Sequence, residues 1–381
     1  MRILLAVEFY YAPGGGGIQE QVRRIAEGLV TKGNEVTVAT SYVNGRSSII
    51  NGVKIVGFNV HGDNVWGIHG DKDKYVKFLL DQDNDVVVCF GGNVWTTDLL
   101  FSVGDKIRAK KVLSTPGLSK LGNEKYDKYY EKDYLPAIRG FDALVYTSEN
   151  YRDKVFGDNN GLGDKAIIIP NGASEEEFIG PARFKIREKL KITSPYIAIT
   201  VANHYRAKGH RFVISAFKKL RRKDITLLII GERFVSTGVK KWGHFVLDYM
   251  YCFGSSLFSR RIVLLNGKER DMVLAAYKGA DLFLFGSELE CAPLVMYESF
   301  AAKLPFITTD VGNVKDHSRY IKIVRSPIEM AEVSNRLLNN RNERETMSEV
   351  SYAEWKKNHT WTRIADMYND LFNRLIVEKD E

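Results

Sequence analysis

The sequence predicts an α/β protein built as two parallel-sheet domains in tandem, and three observations carry that expectation. Short apolar runs of strand length alternate with segments of helical period along most of the chain. The alternation is broken once, between residues 173 and 195, by a polar, irregular stretch that is acidic at Glu175, Glu176 and Glu177. The length of 381 residues exceeds one ordinary domain, while 44% apolar and 12% aromatic content supply two cores and argue against disorder.

Taken in order, residues 2–8 form a first buried strand, after which Ala12-Pro13 and four glycines, 14–17, break the pattern. Residues 18–30 then place Val22, Ile25, Ala26, Leu29 and Val30 at helical spacing. Strand, glycine loop and helix make a layout in which backbone can approach a phosphate, although the glycines match neither GxGxxG nor GxxxxGK[ST] and serve equally as a flexible connector. Strands follow at 35–40, 53–58, 85–90, 111–114 and 142–147, and a further run ends in the sharp turn Pro170-Asn171-Gly172. The second series begins at Tyr196 with a strand at 197–201, the segment Arg206-Ala207-Lys208-Gly209 and a helix over 210–220. It continues through strands 225–230, 262–265, 281–285 and 306–309, with helices at 272–278 and 293–303, and closes with helices at 327–339 and 362–376. Residues 233–261 have no clean period and are assigned no element. The expected domains are therefore 1–172, a linker at 173–195, 196–360, and a C-terminal helix at 361–381 that packs back on the first domain.

Residues 281–298, DLFLFGSELECAPLVMYE, hold the strongest chemical signal. A buried strand ends at Gly286-Ser287, and a helix opens at Pro293, a residue suited to a first helical turn. Glu290 stands in the loop and Glu298 just over a turn inside the helix. The amides of Leu294, Val295 and Met296 are expected to lack intrahelical partners there, beside the positive end of the helix dipole, where an anion can bind. Alone, two such acids would only complement that dipole and face solvent.

Composition excludes several classes. Three cysteines, Cys89, Cys252 and Cys291, share no CxxC spacing and cannot all pair, which suits a reducing compartment. The N-terminus reads as a strand rather than a signal peptide, and no apolar run approaches a membrane span. A cytoplasmic location is expected, with membrane association left open. The formal charge of +8 equals the excess in residues 201–250, which carry 11 basic against 3 acidic side chains, densest at Lys218, Lys219, Arg221, Arg222 and Lys223. Little aromatic interleaving and no recognition motif accompany this basic run, so nucleic acid is not an expected partner. The Asp71/Asp73 and Asp81/Asp83 pairs sit in charged segments around a helix and read as solvated acids, so no metal ligands are assigned. The Lys- and Tyr-rich stretch 120–132 reads as an exposed helix of alternating charge, or as a surface for membrane or acceptor.

Together and in order, the glycine loop with Gln19, the Pro170-Asn171-Gly172 turn, Lys208-Gly209 after a strand, Glu290 and Glu298 eight apart, and Asp310-Val311-Gly312 resemble a GT-B retaining glycosyltransferase of family 4. The resemblance spans nearly the whole chain. It implies two Rossmann-like domains facing across a cleft, with the acceptor on the N-terminal side and a nucleoside-diphosphate sugar on the C-terminal side. It assigns catalysis to Glu290, against donor-sugar hydroxyls, and to Lys208, against the diphosphate. Glu298 is assigned to the ribose, and Gly16, Gly17, Leu294, Val295 and Gly312 to the donor site. The sequence departs from the family at Asn203, where a basic residue five before the lysine is usual; Arg206 is the candidate replacement. No histidine accompanies Thr115-Pro116-Gly117, where many members carry one. His61, His69 and His204 are the candidates for the cleft, each with a surface or loop position as its plainer reading.

The resemblance implies a hexosyltransferase-type, metal-independent enzyme without cofactor, using a UDP- or GDP-linked sugar and a saccharide or lipid-linked acceptor in polysaccharide or glycolipid synthesis. An epimerase-type enzyme on the same fold, or a sugar-nucleotide binding protein without turnover, are the alternatives.

Overall fold

The computed structural model describes residues 1–12, 16–115, 117–232, 239–267 and 269–377, apart from the side chains of 239–245. Residues 1–171 with 361–381 form one compact unit and residues 172–360 the other. No helix among the described residues is long and apolar enough to cross a membrane.

In the first unit the strands are β1 (Arg2–Ala6), β2 (Glu35–Ser41), β3 (Ile49–Ile50), β4 (Val53–Phe58), β5 (Val60–Asp63), β6 (Gly67–Gly70), β7 (Val86–Phe90), β8 (Lys110–Thr115), β9 (Ala143–Tyr146) and β10 (Ala166–Ile168). Eight of them make one sheet in the order β10-β9-β8-β7-β1-β2-β4-β3. All neighbours in it are parallel except β3, which runs against β4. Strand β7, VVVCF, is buried at every position, as a parallel strand covered on both faces must be. The order reverses between β1 and β7, so the loop leaving β1 stands at a switch point of the sheet. Strands β5 and β6 form a separate antiparallel hairpin that opposes His61 to His69.

Helix Trp361–Val377 packs on helix Gly17–Thr31 in this unit, with the Ala365 methyl only 2.6 Å from where a side chain on Gly28 would begin. The Tyr368 hydroxyl lies 2.9 Å from Ser114 Oγ, and Asn34 Nδ2 donates to Asn369 Oδ1 over the same distance. The stretch 120–132 differs from the expected exposed helix. Helix Glu124–Tyr129 runs through a π-helical turn, Tyr130–Tyr134, into Leu135–Ile138, and Tyr129, Tyr130 and Tyr134 are buried in the core. The tyrosines are spaced to meet that core, while Lys125 stays outside with its ammonium 3.1 Å from the centre of the Trp66 ring.

The second unit contains β11 (Tyr196–Val201), β12 (Ile225–Gly231), β13 (Ile262–Asn266), β14 (Leu282–Phe285), β15 (Phe306–Thr309) and β16 (Lys322–Val324). They form one all-parallel sheet in the order β13-β12-β11-β14-β15-β16, which reverses between β11 and β14. Residues 173–195, expected as a linker, belong to this unit. Ala173, Phe178 and Ile186 are buried in its core, and Trp355 Nε1 donates to the Ala173 carbonyl at 3.2 Å. The polar composition of that stretch belongs to the outward faces of two single-turn helices, Glu175–Phe178 and Ile186–Lys189. Two long helices were not anticipated, Val239–Leu257 and Arg341–Asn358.

Candidate functional site

Three loops at the C-terminal ends of adjacent strands build the site in the second unit. The loop after β11 ends in the short turn Arg206–Lys208 and in Gly209, which opens helix His210–Lys219 with φ of 70°. The loop after β14 leads to helix Leu294–Ala301, and the loop after β15 holds Gly312 at φ 60°. Since β11 and β14 lie on either side of the reversal in strand order, the loops that follow them stand at the switch point of the sheet, where α/β proteins commonly bind ligands.

Backbone contacts lace the loops together. The Ala207 carbonyl accepts the Glu288 N–H at 2.7 Å, and the Ser287 hydroxyl lies 2.9 Å from that same carbonyl. Thr309 Oγ1 donates to the Ser287 carbonyl at 2.5 Å, and the Asn313 N–H to the Cys291 carbonyl at 2.7 Å. Gly209 passes so close to Gly286 that a Cβ on it would stand 1.7 Å from the Gly286 carbonyl oxygen. A Cβ on Gly312 would stand 2.3 Å from the Cys291 carbonyl oxygen. Glycine is required at both positions by the positive φ and by the approach of backbone.

This scaffold joins Lys208 to Glu290. The Lys208 ammonium lies 2.7 Å from Glu290 Oε1, which is also 2.9 Å from the Ser287 hydroxyl. Glu290 Oε2 has no hydrogen-bond partner among the described residues. Arg206 is exposed and makes no ion pair among them.

The helix beyond the loop differs from expectation in two respects. It begins at Leu294 with Pro293 as its extended N-cap. The Met296 N–H is not free, because it donates to the Pro293 carbonyl at 3.1 Å. Proline ends its own donor capacity but keeps its carbonyl, and that carbonyl closes the first turn. The Leu294 and Val295 amides remain, with no partner among the described residues.

Glu298 lies in a different setting. Arg270 Nη2 reaches its Oε1 at 2.5 Å and the buried Tyr277 hydroxyl donates to its Oε2 at 2.7 Å, while Arg270 also pairs with Glu177 at 2.8 Å. Burial and the neighbouring carboxylate hold the Tyr277 phenol well above the usual tyrosine range. Arg270 and Tyr277 were not read from the sequence as site residues, because the helix expected at 272–278 begins instead at Arg270. Their seven-residue spacing, which puts both on one helix face, is the signal that could have found them.

Tyr297 and Asn313 brace the helix against the Gly312 loop. Asn313 Nδ2 donates to the Tyr297 hydroxyl at 2.8 Å, which leaves that hydroxyl to donate to His317 Nε2 at 3.2 Å. His317 is therefore neutral, and burial, with His359 nearby, pushes it down from the ordinary 6.5 to about 4. A depressed histidine stabilises the fold above its unfolded value and loses that contribution as pH falls toward the folded one. On the order of 2 kcal/mol is expected to vanish between pH 7 and 5. Urea unfolding at the two pH values checks this, because His317→Gln is expected to flatten the difference by about that amount.

Gly16 and Gly17 belong to the first unit, and the other seven predicted site residues to the second. Gly16 caps helix Gly17–Thr31 in an extended conformation and nothing among the described residues lies within 4 Å of a Cβ there; Gly14 and Gly15 fall outside the described residues. The Thr115 hydroxyl is occupied by Asp153 Oδ2 at 2.5 Å, and Pro116 also lies outside the described residues. His61 and His69 are exposed on their hairpin, whereas His204 is fully buried beneath the Lys208 loop. Of the acidic pairs, Asp71 meets Lys74 and Asp83 meets Arg2, as solvated acids do.

With this geometry in place, comparison with known proteins gives a consistent result. Residues 182–354 match the family described as glycosyl transferases group 1. Spore coat protein SA of Bacillus subtilis is 25% identical over 203 residues, 51% of this chain and 52% of that protein, so the chain spans about half the length of this relative. The structure of sucrose-phosphate synthase from Thermosynechococcus elongatus superposes with a TM-score of 0.79 at 16% identity, over 99% of both chains. Anabaena HepE in complex with UDP superposes with a TM-score of 0.76 at 14% identity, over 98% of this chain and 100% of that one. The chain has the GT-B fold, and residues 182–354, within its second unit, match the glycosyl transferases group 1 family.

Proposed function

We propose that the protein transfers a sugar, with retention, from a nucleoside-diphosphate donor bound in the second unit to a saccharide or lipid-linked acceptor held by the first. The observation that carries this reading is the Lys208–Glu290 pair at the reversal point of an all-parallel sheet, beside a helix that presents two unpartnered amides. A cation, a carboxylate and free N–H groups at one strand end match the two ends of a sugar nucleotide's reactive bond. Lys208 would exchange Glu290 for a diphosphate oxygen, and the Leu294 and Val295 amides would bind the same anion. Glu290, freed from the ammonium, would accept hydrogen bonds from hydroxyls of the donor sugar. Glu298 would meet the ribose, with Arg270 as its existing partner giving way or sharing.

In the transfer step the bond from the anomeric carbon to the phosphate oxygen breaks as the acceptor oxygen bonds to that carbon on the same face. The acceptor proton passes to the departing phosphate oxygen. No side chain is needed as nucleophile; the protein supplies position and charge stabilisation of the leaving diphosphate. The donor carries a UDP or GDP group, in keeping with the UDP bound by the Anabaena neighbour, and the acceptor belongs to polysaccharide or glycolipid synthesis.

A thermal-shift screen against UDP-, GDP- and ADP-sugars tests the reading. The right donor, at about a hundred times its Kd, is expected to raise Tm by on the order of 5 °C. Release of nucleoside diphosphate in the presence of acceptor then separates transfer from epimerisation and from binding alone. Failure of every sugar nucleotide to stabilise the chain would overturn it.

A further inference from the structure

Beneath the loop that carries Lys208 lies a second group of reactive side chains which the site above does not use. His204 and His210 bracket the turn Arg206–Lys208, and both are 0% exposed. Asp248 and Cys252 stand four residues apart on helix Val239–Leu257, hence on one face of it, and are 2% and 0% exposed. Each of the four offers a ligand atom, and these atoms all lie within 4.8 Å of one another. The two imidazole rings are 5.0 Å apart and tilted by 34°. Their Nδ1 atoms converge on one carboxylate oxygen, Asp248 Oδ2, at 3.3 and 2.7 Å.

A hydrogen-bonded His–Asp–His group is the plainer account, but it leaves the set unsatisfied. His204 Nε2, His210 Nε2 and Asp248 Oδ1 are all buried without a partner among the described residues. Each orphaned polar atom in an apolar interior costs about 1–3 kcal/mol, and here three share one pocket with a thiol. A cation answers part of this demand, since it takes one nitrogen of each imidazole, a carboxylate oxygen and a thiolate at once. Two nitrogens, one oxygen and one sulfur are a four-coordinate set for a borderline-soft divalent ion, with zinc the best fit. Adjacent ligand atoms around tetrahedral zinc stand roughly 3.3–3.8 Å apart, so closing the set about an ion needs shifts of about an ångström.

We propose that His204, His210, Asp248 and Cys252 form a structural zinc(II) site that fastens helix Val239–Leu257 to the loop carrying Lys208. Four protein ligands leave no open position, so the ion takes no part in sugar transfer. Two anionic ligands balance its charge, so it is buried without net charge. Its effect on the candidate site is positional, because the two histidines frame the turn from which Lys208 reaches Glu290.

The test is titration of the full chain, stripped with chelator and kept reduced, with cobalt(II) alone. Binding is expected to saturate at one equivalent, with the strong visible bands of tetrahedral cobalt and a near-ultraviolet thiolate-to-cobalt band, and one equivalent of zinc(II) is expected to erase both. Cys252→Ala is expected to lose the thiolate band and to weaken cobalt binding by more than the roughly ten- to hundredfold typical of losing an outer-shell partner, while His61→Ala, on the exposed hairpin, leaves both unchanged. The wild-type titration decides the matter even if the buried variant does not fold. Pale octahedral cobalt, binding that never saturates at one equivalent, or a thiolate band that survives Cys252→Ala would overturn the site.

Discussion

Lys208→Ala lowers kcat by roughly 10²–10³-fold on the reading developed here, the range seen when one preorganised group is removed from a developing negative charge. The variant is expected to remain folded. Its side chain is one-third exposed and makes a single ion pair among the described residues, so the stability lost is within about 1 kcal/mol. Steady-state kinetics with the donor identified by thermal shift, alongside a denaturation curve, reads both quantities. Arg206→Ala is the natural comparison, because its exposed side chain makes no ion pair among the described residues. If Arg206 supplies the charge absent at Asn203, its loss also lowers turnover. Near-normal kcat in Lys208→Ala would remove the phosphate role from this loop.

Gly209→Ala is expected to damage the fold itself. The methyl would stand 1.7 Å from the Gly286 carbonyl oxygen, and the atom in its way is backbone, which cannot swing aside as a side chain would. The residue must also hold φ at 70°, a region that costs alanine extra energy. Together these effects predict a loss of about 3 kcal/mol or more, and the loops after β11 and β14 would have to part for the methyl to fit. Gly16→Ala provides the contrast, since no atom of the described residues lies within 4 Å of a Cβ there and its backbone is extended. Urea unfolding that placed Gly209→Ala within about 0.5 kcal/mol of wild type would show that the two loops are not locked as described.

What could be read beforehand follows from the range over which each signal acts. The two strand–helix series were legible because a parallel sheet covered on both faces writes continuous apolar runs into the chain, as in β7 and β12. Glu290 drew notice because it stands in the loop after such a run, whereas Lys208 and Gly312, also in loops after strands, were singled out by the resemblance. Helix Arg341–Asn358 was not, because charged and polar residues surround it on nearly all sides and only Met347, Ser348, Ser351 and Trp355 are buried. The Met296 amide escaped because its fate depends on one carbonyl angle at Pro293. Arg270 and Tyr277 reach Glu298 from 28 and 21 residues away, and Asp248 reaches His204 from 44, so helical spacing can place residues on one face but cannot name the partner that face meets. The tyrosines of 120–132 were misplaced for a related reason, since alternating charge between them masks the side they bury.

The ion pair between Lys208 and Glu290 also bears on selectivity. The lysine is neutralised, at 2.7 Å, by the carboxylate proposed to hold the sugar. A ligand that brings only negative charge must displace that carboxylate and leave it with an unmet partner, so inorganic phosphate or a bare nucleoside diphosphate gains little. A ligand with an anion at one end and hydroxyls at the other satisfies both groups at once. On the proposed reading the pair would act as an electrostatic coincidence detector, favouring an intact sugar nucleotide over its own leaving group and easing release of the product after transfer.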